Sequence, residues 1–269
     1  MSPSTVSIII PFYERLTHLT RCLNSLSFSQ NDFDEVIVTD DGSSDEVVAG
    51  LKKIIASFDF PIRHVWQPHQ GFRVAAARNN GVRAANGSYL LFFDCDFLIL
   101  PGTVRAHLNR ARKGRFVAGN CKYLSRQQSE TLSASQLTPP RLAELYAAES
   151  SAELWKDHFR YIRRTLRIRL GLAPAEKQCL GGHFSIHRED FERVNGYDEN
   201  FVGWGGEDED LGIRLVKAGI HCCSALPYAK VLHVWHPKEL GNKHWQTGPN
   251  MAYFQENRPW RCANGLIKD

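Results

Sequence analysis

The stretch Phe92-Phe93-Asp94-Cys95-Asp96 closes an apolar run, Tyr89 to Phe93, of the right length for a buried strand. The body of a strand buried in a parallel sheet has no place for two acids, but at its C-terminal end acids can face a ligand crevice. Asp94 and Asp96 stand two residues apart, so in extended chain they point to one side. Carboxylates so placed repel unless one is protonated or a cation lies between them. A hard divalent ion resolves that repulsion, and such ions commonly hold substrate phosphates as well. Two solvated acids in a turn would read the same from this stretch alone, so the chain around it has to decide.

Upstream, the chain alternates. Val6 to Ile10 is a β-branched strand that ends at Pro11, and Leu16, Leu19, Leu23 and Leu26 recur at helical spacing. Val36 to Thr39 is a second strand that also runs into acids, Asp40-Asp41-Gly42-Ser43-Ser44-Asp45. Val47, Val48, Leu51, Ile54, Ile55 and Phe58 form the apolar face of a helix. Ile62 to Trp66 is a third strand, and Val74 to Ala85 an Ala-rich helix carrying Arg78 and Asn79. After the fourth strand, Pro101 opens another helix at a position that tolerates proline. This alternation predicts an α/β fold: a Rossmann-like, mostly parallel central sheet flanked by helices, with ligands at the strand ends.

From about Ser125 the pattern changes. Residues 125–140 are polar and end in Pro139-Pro140, which predicts a loop or a flexible lid. Residues 141–170 read as helical, and 160–169 are strongly basic with interleaved apolar residues. A solvated face explains such a helix; contact with anionic lipid or an anionic carrier is the sharper reading. From Gln178 a Gly-led strand, Gly181 to Ile186, is followed by a short helix, Arg188 to Val194. Phe201-Val202-Gly203-Trp204-Gly205-Gly206 then leads into four acids, Glu207 to Asp210. The helix dipole accounts for one or two acids in a first turn, but not for a Trp held between glycines ahead of them. Glycines let backbone approach a ligand, and Trp offers a platform for a sugar ring. Val231 to Pro237 is a further strand end bearing His233 and His236, which beside a carboxylate pair points toward metal binding. Residues 238–269 read as a loose tail.

The 269 residues suffice for one large α/β domain or two coupled halves, and 43% hydrophobic with 23% charged residues is ordinary for a globular protein. The net charge of +4 suits an anionic substrate or a membrane surface without requiring either. No apolar run reaches membrane-span length, and residues 1–10 do not read as a signal peptide. Seven scattered cysteines without a CxxC pair suggest reduced thiols, hence a cytoplasmic chain without a disulfide frame or zinc site. No nucleic-acid module is recognisable.

Together these segments resemble a family-2 glycosyltransferase of the GT-A fold. The resemblance rests on Ile8-Ile9-Ile10-Pro11-Phe12-Tyr13-Glu14, the acidic turn from Asp40 to Asp45, Gly71 to Gly81 with Ala77-Arg78-Asn79, and Asp94-Cys95-Asp96 as a metal-binding DxD. Gly181-Gly182 through Asn195-Gly196-Tyr197, then Gly203 to Asp210, resembles the C-terminal domain of β-1,4-galactosyltransferases, polypeptide GalNAc-transferases and chondroitin polymerases. It implies a nucleotide-sugar-binding half at 1–124, a variable insertion at 125–177, and an acceptor-binding, catalytic-base half at 178–269.

The resemblance also implies roles. Asp208 would be the catalytic base, and Asp96 with His233 would ligate Mn²⁺ or Mg²⁺, His236 being a less favoured ligand. Pro11, Tyr13, Glu14, Asp40, Asp41, Arg73, Arg78, Asp94 and Cys95 would bind a UDP-sugar donor, with Arg78 fixing the acidic turn or the phosphates. Trp204, Gly205, Gly206, Glu207 and His236 would contact a saccharide or lipid-linked saccharide acceptor, galactose or GalNAc being the favoured sugar. One base and in-line attack imply inversion. Two rivals remain from sequence: a nucleotidyltransferase, disfavoured because Pro11 to Arg15 has no glycine to grip a triphosphate, and a non-catalytic sugar- or nucleotide-binding module.

Overall fold

The computed structural model describes residues 3, 5–133, 137–174, 182–237, 247–248, 250–256 and 259–268. Its first part alternates β1 (Val6–Phe12), α1 (Leu16–Leu26), β2 (Glu35–Asp40), α2 (Asp45–Ile55), β3 (Ile62–Trp66), α3 (Val74–Ala84) and β4 (Tyr89–Phe92). There follow β5 (Phe97–Ile99), α4 (Thr103–Leu108), β6 (Arg115–Ala118), β7 (Lys122–Tyr123), α5 (Arg126–Glu130), α6 (Pro139–Ala148) and α7 (Ala152–Arg169). The last part is β8 (Phe184–His187), α8 (Arg188–Arg193), α9 (Glu207–Lys217), β9 (His221–Ser224), β10 (Val231–His233) and α10 (Asn250–Gln255).

Seven strands form the main sheet in the order β3-β2-β1-β4-β8-β6-β9. β8 runs antiparallel to β4 and β6, whereas the other pairings are parallel. Period-2 alternation separates the two faces. Ile8, Ile10, Val36 and Val38 pack with Leu19, Leu23 and Leu51 of α1 and α2. Ile9, Ile37, Leu90 and Phe92 pack with Ala75 and Val82 of α3, Phe191 of α8 and Leu211 and Leu215 of α9. A second sheet, β5-β10-β7, stands apart from the first. In it His233 lies opposite Phe97, and Val234 N–H donates to the Asp96 carbonyl at 2.9 Å.

The structure corrects several expectations. β1 continues through Pro11, which pairs with Thr39 of β2. Its pairing with β4 ends at Ile9 opposite Phe92, so the missing proline N–H interrupts no ladder on that side. Residues 125–140 are not simply a loop: Ser125 and Gln128 make a reciprocal capping box on α5, and Leu132 and Leu137 are buried. The segment 141–170 is two helices, broken between Ala148 and Ala152. Gln178 and Gly181 lie outside the described residues, and the strand after them begins at Phe184. The described part of the tail is anchored rather than loose: Asn195, held at φ +64°, donates to the Cys262 and Ile267 carbonyls at 2.8 Å.

Candidate active site

A cleft of about 470 Å³ opens at the C-terminal ends of β1, β2 and β4. That size lies within the usual range for small-molecule sites. Its walls include Pro11, Phe12, Tyr13, Asp41, Phe72, Arg78, Asp94, Cys95, Asp96, Trp204, Glu207, Asp208, His233 and His236. Residues spread over the whole sequence thus converge where a doubly wound sheet binds ligands.

The acidic turn after β2 divides its labour. Asp41 lines the cleft and is fixed there: Oδ1 accepts from Gln67 Nε2 at 2.5 Å and Oδ2 from Arg73 N–H at 2.8 Å. Asp40 is buried and spent internally, accepting from Ser43 N–H at 2.8 Å and pairing with His64 Nε2 at 3.0 Å. Burial would raise its carboxyl, but the His64 and Ser43 hydrogen bonds prevail and hold it below the usual range. Glu14 caps the same turn through Ser44 N–H, and the Arg73 guanidinium donates to the Pro68 carbonyl at 2.8 Å. Asp40, Glu14 and Arg73 therefore shape the turn and do not line the cleft. Gly42, at φ +88°, has no room for a side chain, because a Cβ there would meet the His69 backbone at 2.3 Å. The His69 ring in turn stacks on Tyr13 with centroids 4.5 Å apart.

Arg78 does not touch the acidic turn; it is the hub of a different cluster. Its Nη2 donates to Asp94 Oδ1 at 3.0 Å and its Nη1 to Asp208 Oδ1 at 3.0 Å, with Glu207 Oε1 at 3.6 Å. Tyr197 OH also donates to Asp208 Oδ1 at 2.8 Å. Among the described residues these donors all serve Oδ1 of Asp208, which leaves Oδ2 available. The Asp94 carboxyl is pushed up to about 7 by burial first, Arg78 pulling it down while Asp96 and Asp208 push it further. Its side chain keeps 32% exposure at the cleft floor, so water and ligands still reach it.

Glu207 is pushed up to about 8, by burial first and then by Asp208, against the pull of Arg78. An unfolded glutamate titrates near 4.5, so between about pH 4.5 and 8 the folded chain keeps a proton that the unfolded chain releases. The stability linked to Glu207 is therefore full below that window and is lost as pH rises through it. Glu207→Gln removes the titration. Relative to wild type it should gain on the order of 3 kcal/mol between about pH 5 and pH 8, in urea unfolding across pH. A pH-independent difference would show that Glu207 keeps an ordinary carboxyl.

At the other end of the cleft, Asp96, His233 and His236 bring ligand atoms within 4.8 Å of one another. His236 Nε2 lies 3.3 Å from Asp96 Oδ2, and His233 Nε2 3.8 Å from Asp96 Oδ1. His236, from sequence an acceptor contact or a less favoured ligand, thus sits beside His233 within reach of Asp96. Arg15, which sequence reasoning passed over, reaches Asp96 Oδ2 at 3.5 Å. Burial would raise Asp96, but the His236 hydrogen bond and the charges of His233, His236 and Arg15 hold it below the usual range. The same hydrogen bond raises His236, while burial lowers His233.

The turn before α9 is built on Gly203, Gly205 and Gly206, at φ +87°, +90° and +97°. It presents Trp204 to the cleft, still partly exposed, while Gly205 and Gly206 supply backbone curvature rather than cleft wall. Gly203 N–H donates to the Phe72 carbonyl at 2.8 Å, and Asn250 of α10 donates to the Gly205 carbonyl at 2.8 Å. Three of the four acids that follow divide between the cleft and the core. Glu207 and Asp208 face the cleft, and Asp210 accepts from the buried Arg214 at 2.7 Å. Arg214 also donates to the Val194 and Gly196 carbonyls at 2.8 Å, which clamps α9 onto the preceding turn.

Residues 7–194 match the family model described as glycosyl transferase family 2. The chain belongs to that family. In this family-2 glycosyltransferase a second model, described as the N-terminal domain of galactosyltransferase, matches residues 169–237. The enzyme is 34% identical over 229 residues to validoxylamine A glucosyltransferase of Streptomyces hygroscopicus subsp. jinggangensis, covering 80% of this chain and 52% of that one. It is 30% identical over 232 residues to the chondroitin synthase of Escherichia coli, covering 80% of this chain and 33% of that one. The chain therefore spans about half or less of these relatives' lengths. Human beta-1,4-galactosyltransferase 4 is 36% identical over 87 residues, 32% of this chain and 25% of that one. Among solved structures, GalNAc-T7 with UDP, GalNAc and Mn²⁺ superposes with a TM-score of 0.59 at 17% identity, covering 92% of this chain and 46% of that one. The mannosyltransferase PcManGT of Pyrobaculum calidifontis, with GDP-Man and Mn²⁺, also gives 0.59 at 17% identity, covering 89% and 59%. The fold of this family-2 chain is thus the GT-A fold, and the family match favours a glycosyltransferase over a nucleotidyltransferase. No helix among the described residues is long and apolar enough to cross a membrane.

Proposed function

We infer that this glycosyltransferase moves a sugar from a UDP-sugar to a hydroxyl of a saccharide acceptor, with inversion, and depends on a divalent cation. One observation carries the reading: the Asp96–His233–His236 cluster and Asp208 line one cleft. The cluster fits a cation, because Asp96 Oδ1 is buried and finds no hydrogen-bond donor among the described residues. One carboxylate with two imidazoles suits Mn²⁺ better than Mg²⁺, which prefers oxygen alone. Held by Asp96, His233 and His236, the ion would neutralise charge gathering on the departing diphosphate.

The chain's own residues do the rest. Asp41, pinned by Gln67 and the Arg73 backbone, accepts hydrogen bonds from the nucleoside, with Pro11 and Tyr13 beside it. Asp94 and Cys95 form the floor between nucleoside and sugar. Asp208, oriented through Oδ1, takes the acceptor proton at Oδ2 as that hydroxyl attacks the anomeric carbon from the face opposite the leaving group. A retaining double displacement needs a second nucleophile, and the reading assigns none. Trp204 offers the acceptor ring an aromatic face, and Glu207 bounds its pocket. The galactosyltransferase-like segment 169–237 favours galactose or GalNAc as the sugar. Relatives named chondroitin and hyaluronan synthase favour a polysaccharide or glycan product.

Screening UDP-sugars for UDP release, followed by the anomeric configuration of the product, tests the reading. EDTA should abolish turnover and Mn²⁺ restore it, and Asp96→Ala should lower kcat/KM by roughly two to four decades, the loss of several kcal/mol of charge stabilisation. Full activity in EDTA would remove the cation from the scheme.

A further inference from the structure

We propose that α7 is a membrane-surface helix that seats the enzyme on anionic lipid. The helix has three faces. Leu154, His158 and Tyr161 are buried, and Thr165 reaches the Cys222 carbonyl of β9, so this face belongs to the protein core. Trp155, Phe159, Ile162 and Leu166 recur at i, i+4, i+7 and i+11 and form a second stripe. Every member of that stripe is exposed, Phe159 by 63% and Leu166 by 56%. Leu170 and Leu172, just past the helix end, extend it at 62% and 65% exposure. A third face carries Arg160, Arg163, Arg164 and Arg167, which with Leu172, Ala173 and Pro174 surround a depression of about 310 Å³.

A purely solvated helix has no use for the apolar stripe, and a protein-packing helix has none for a row of arginines beside it. An exposed apolar stripe bordered by arginines matches a surface of acyl chains under anionic headgroups. The acids of the helix, Glu153 and Asp157, lie in its first half, so the arginine-rich second half is free of acids. The neighbouring surface continues the theme. Trp155 meets Tyr228 with centroids 6.0 Å apart, and Arg110 lies 4.1 Å over the Tyr228 ring. Aromatic rings flanked by cations are the usual occupants of the membrane–water boundary. Because α7 packs on β9 at the edge of the main sheet, this surface is separate from the cleft at the ends of β1, β2 and β4.

Sedimentation with vesicles is the test, done without donor so that it stands or falls independently of the proposed reaction. The enzyme should bind phosphatidylcholine vesicles containing 30% phosphatidylglycerol and not those of phosphatidylcholine alone, and about 0.5 M salt should weaken the binding. At about fivefold per arginine, Arg163→Ala/Arg167→Ala should weaken it roughly 25-fold. Phe159→Ser/Leu166→Ser should weaken it at least about tenfold by removing the inserted stripe. Both variants change exposed positions and should keep the wild-type melting temperature and UDP release with a soluble acceptor. Equal binding to neutral and anionic vesicles, or none to either, overturns the proposal. So does a dimer that the Phe159/Leu166 variant splits without any vesicle binding, or protection of the arginines by inorganic phosphate alone.

Discussion

Asp208→Asn should lower turnover by about two to four decades while leaving UDP binding unchanged. The substitution keeps the shape of the side chain and an oxygen for Tyr197 OH and Arg78 Nη1, which now meet Asp208 at 2.8 and 3.0 Å. What it removes is the capacity to accept a proton. Asp208 is held by Arg78 and Tyr197, whereas Asp41, where the nucleoside is expected, is held by Gln67 and the Arg73 backbone, so the substitution leaves the Asp41 hydrogen bonds in place. Calorimetric titration with UDP and a kcat measurement separate the two effects. Turnover within a few-fold of wild type would move the general base elsewhere. Tyr197→Phe is the companion experiment, since it removes the hydroxyl that donates to Asp208 and accepts from Arg78 but leaves the base in place; its loss in kcat should be about tenfold.

The second large effect concerns folding rather than chemistry. Arg78→Gln should destabilise the protein by about 3–5 kcal/mol, the usual consequence of stripping the partner from buried charge. Arg78 is buried and neutralises Asp94 and Asp208, with Glu207 nearby. For a chain of this size the loss corresponds to a melting temperature lower by about 10 °C. Without Arg78 the carboxyls of Asp94 and Glu207 rise further, so the deficit should shrink toward about pH 5 as they take up protons. Arg78→Lys should recover little, because one ammonium cannot serve carboxylates on two sides of a planar fork. A variant melting within about 2 °C of wild type across that pH range would show that the cluster is held by something other than Arg78.

The alternation of apolar runs and helical stripes up to Phe93 was enough to read the parallel half of the sheet, because each element there is long and amphipathic. The short strands β5, β6 and β7 escaped, for two to four residues carry no period to detect. β8 was legible as a strand but not as the antiparallel one, since direction is set by partners and not by local sequence. Residue types pointed to Asp41, Asp94, Asp96, Glu207 and Asp208, which line the cleft, but also to Glu14 and Asp40, which do not. Asp40 and Asp41 are adjacent and chemically identical, yet burial and His64 consume one while the other faces the cleft. Tyr197 fell in a matching stretch but was given no role, Arg15 was given none either, and only tertiary placement reveals them beside Asp208 and Asp96. His236 ranked below His233 as a ligand in the sequence, and the fold sets the two side by side, because the chain turns back on Asp96 after β10.

The pairing of β10 with β5 has a consequence for how the protein folds. Asp96 and the two histidines come from the ends of a very long stretch of chain, and the pairing of β10 with β5 brings those ends together. A cation bound across such a closure cannot bind the unfolded ensemble in the same way, so its affinity adds directly to the free energy of the native state. Manganese should then protect the enzyme against heat and protease even when no nucleotide is present, and a cell short of the ion would lose enzyme molecules as well as their turnover.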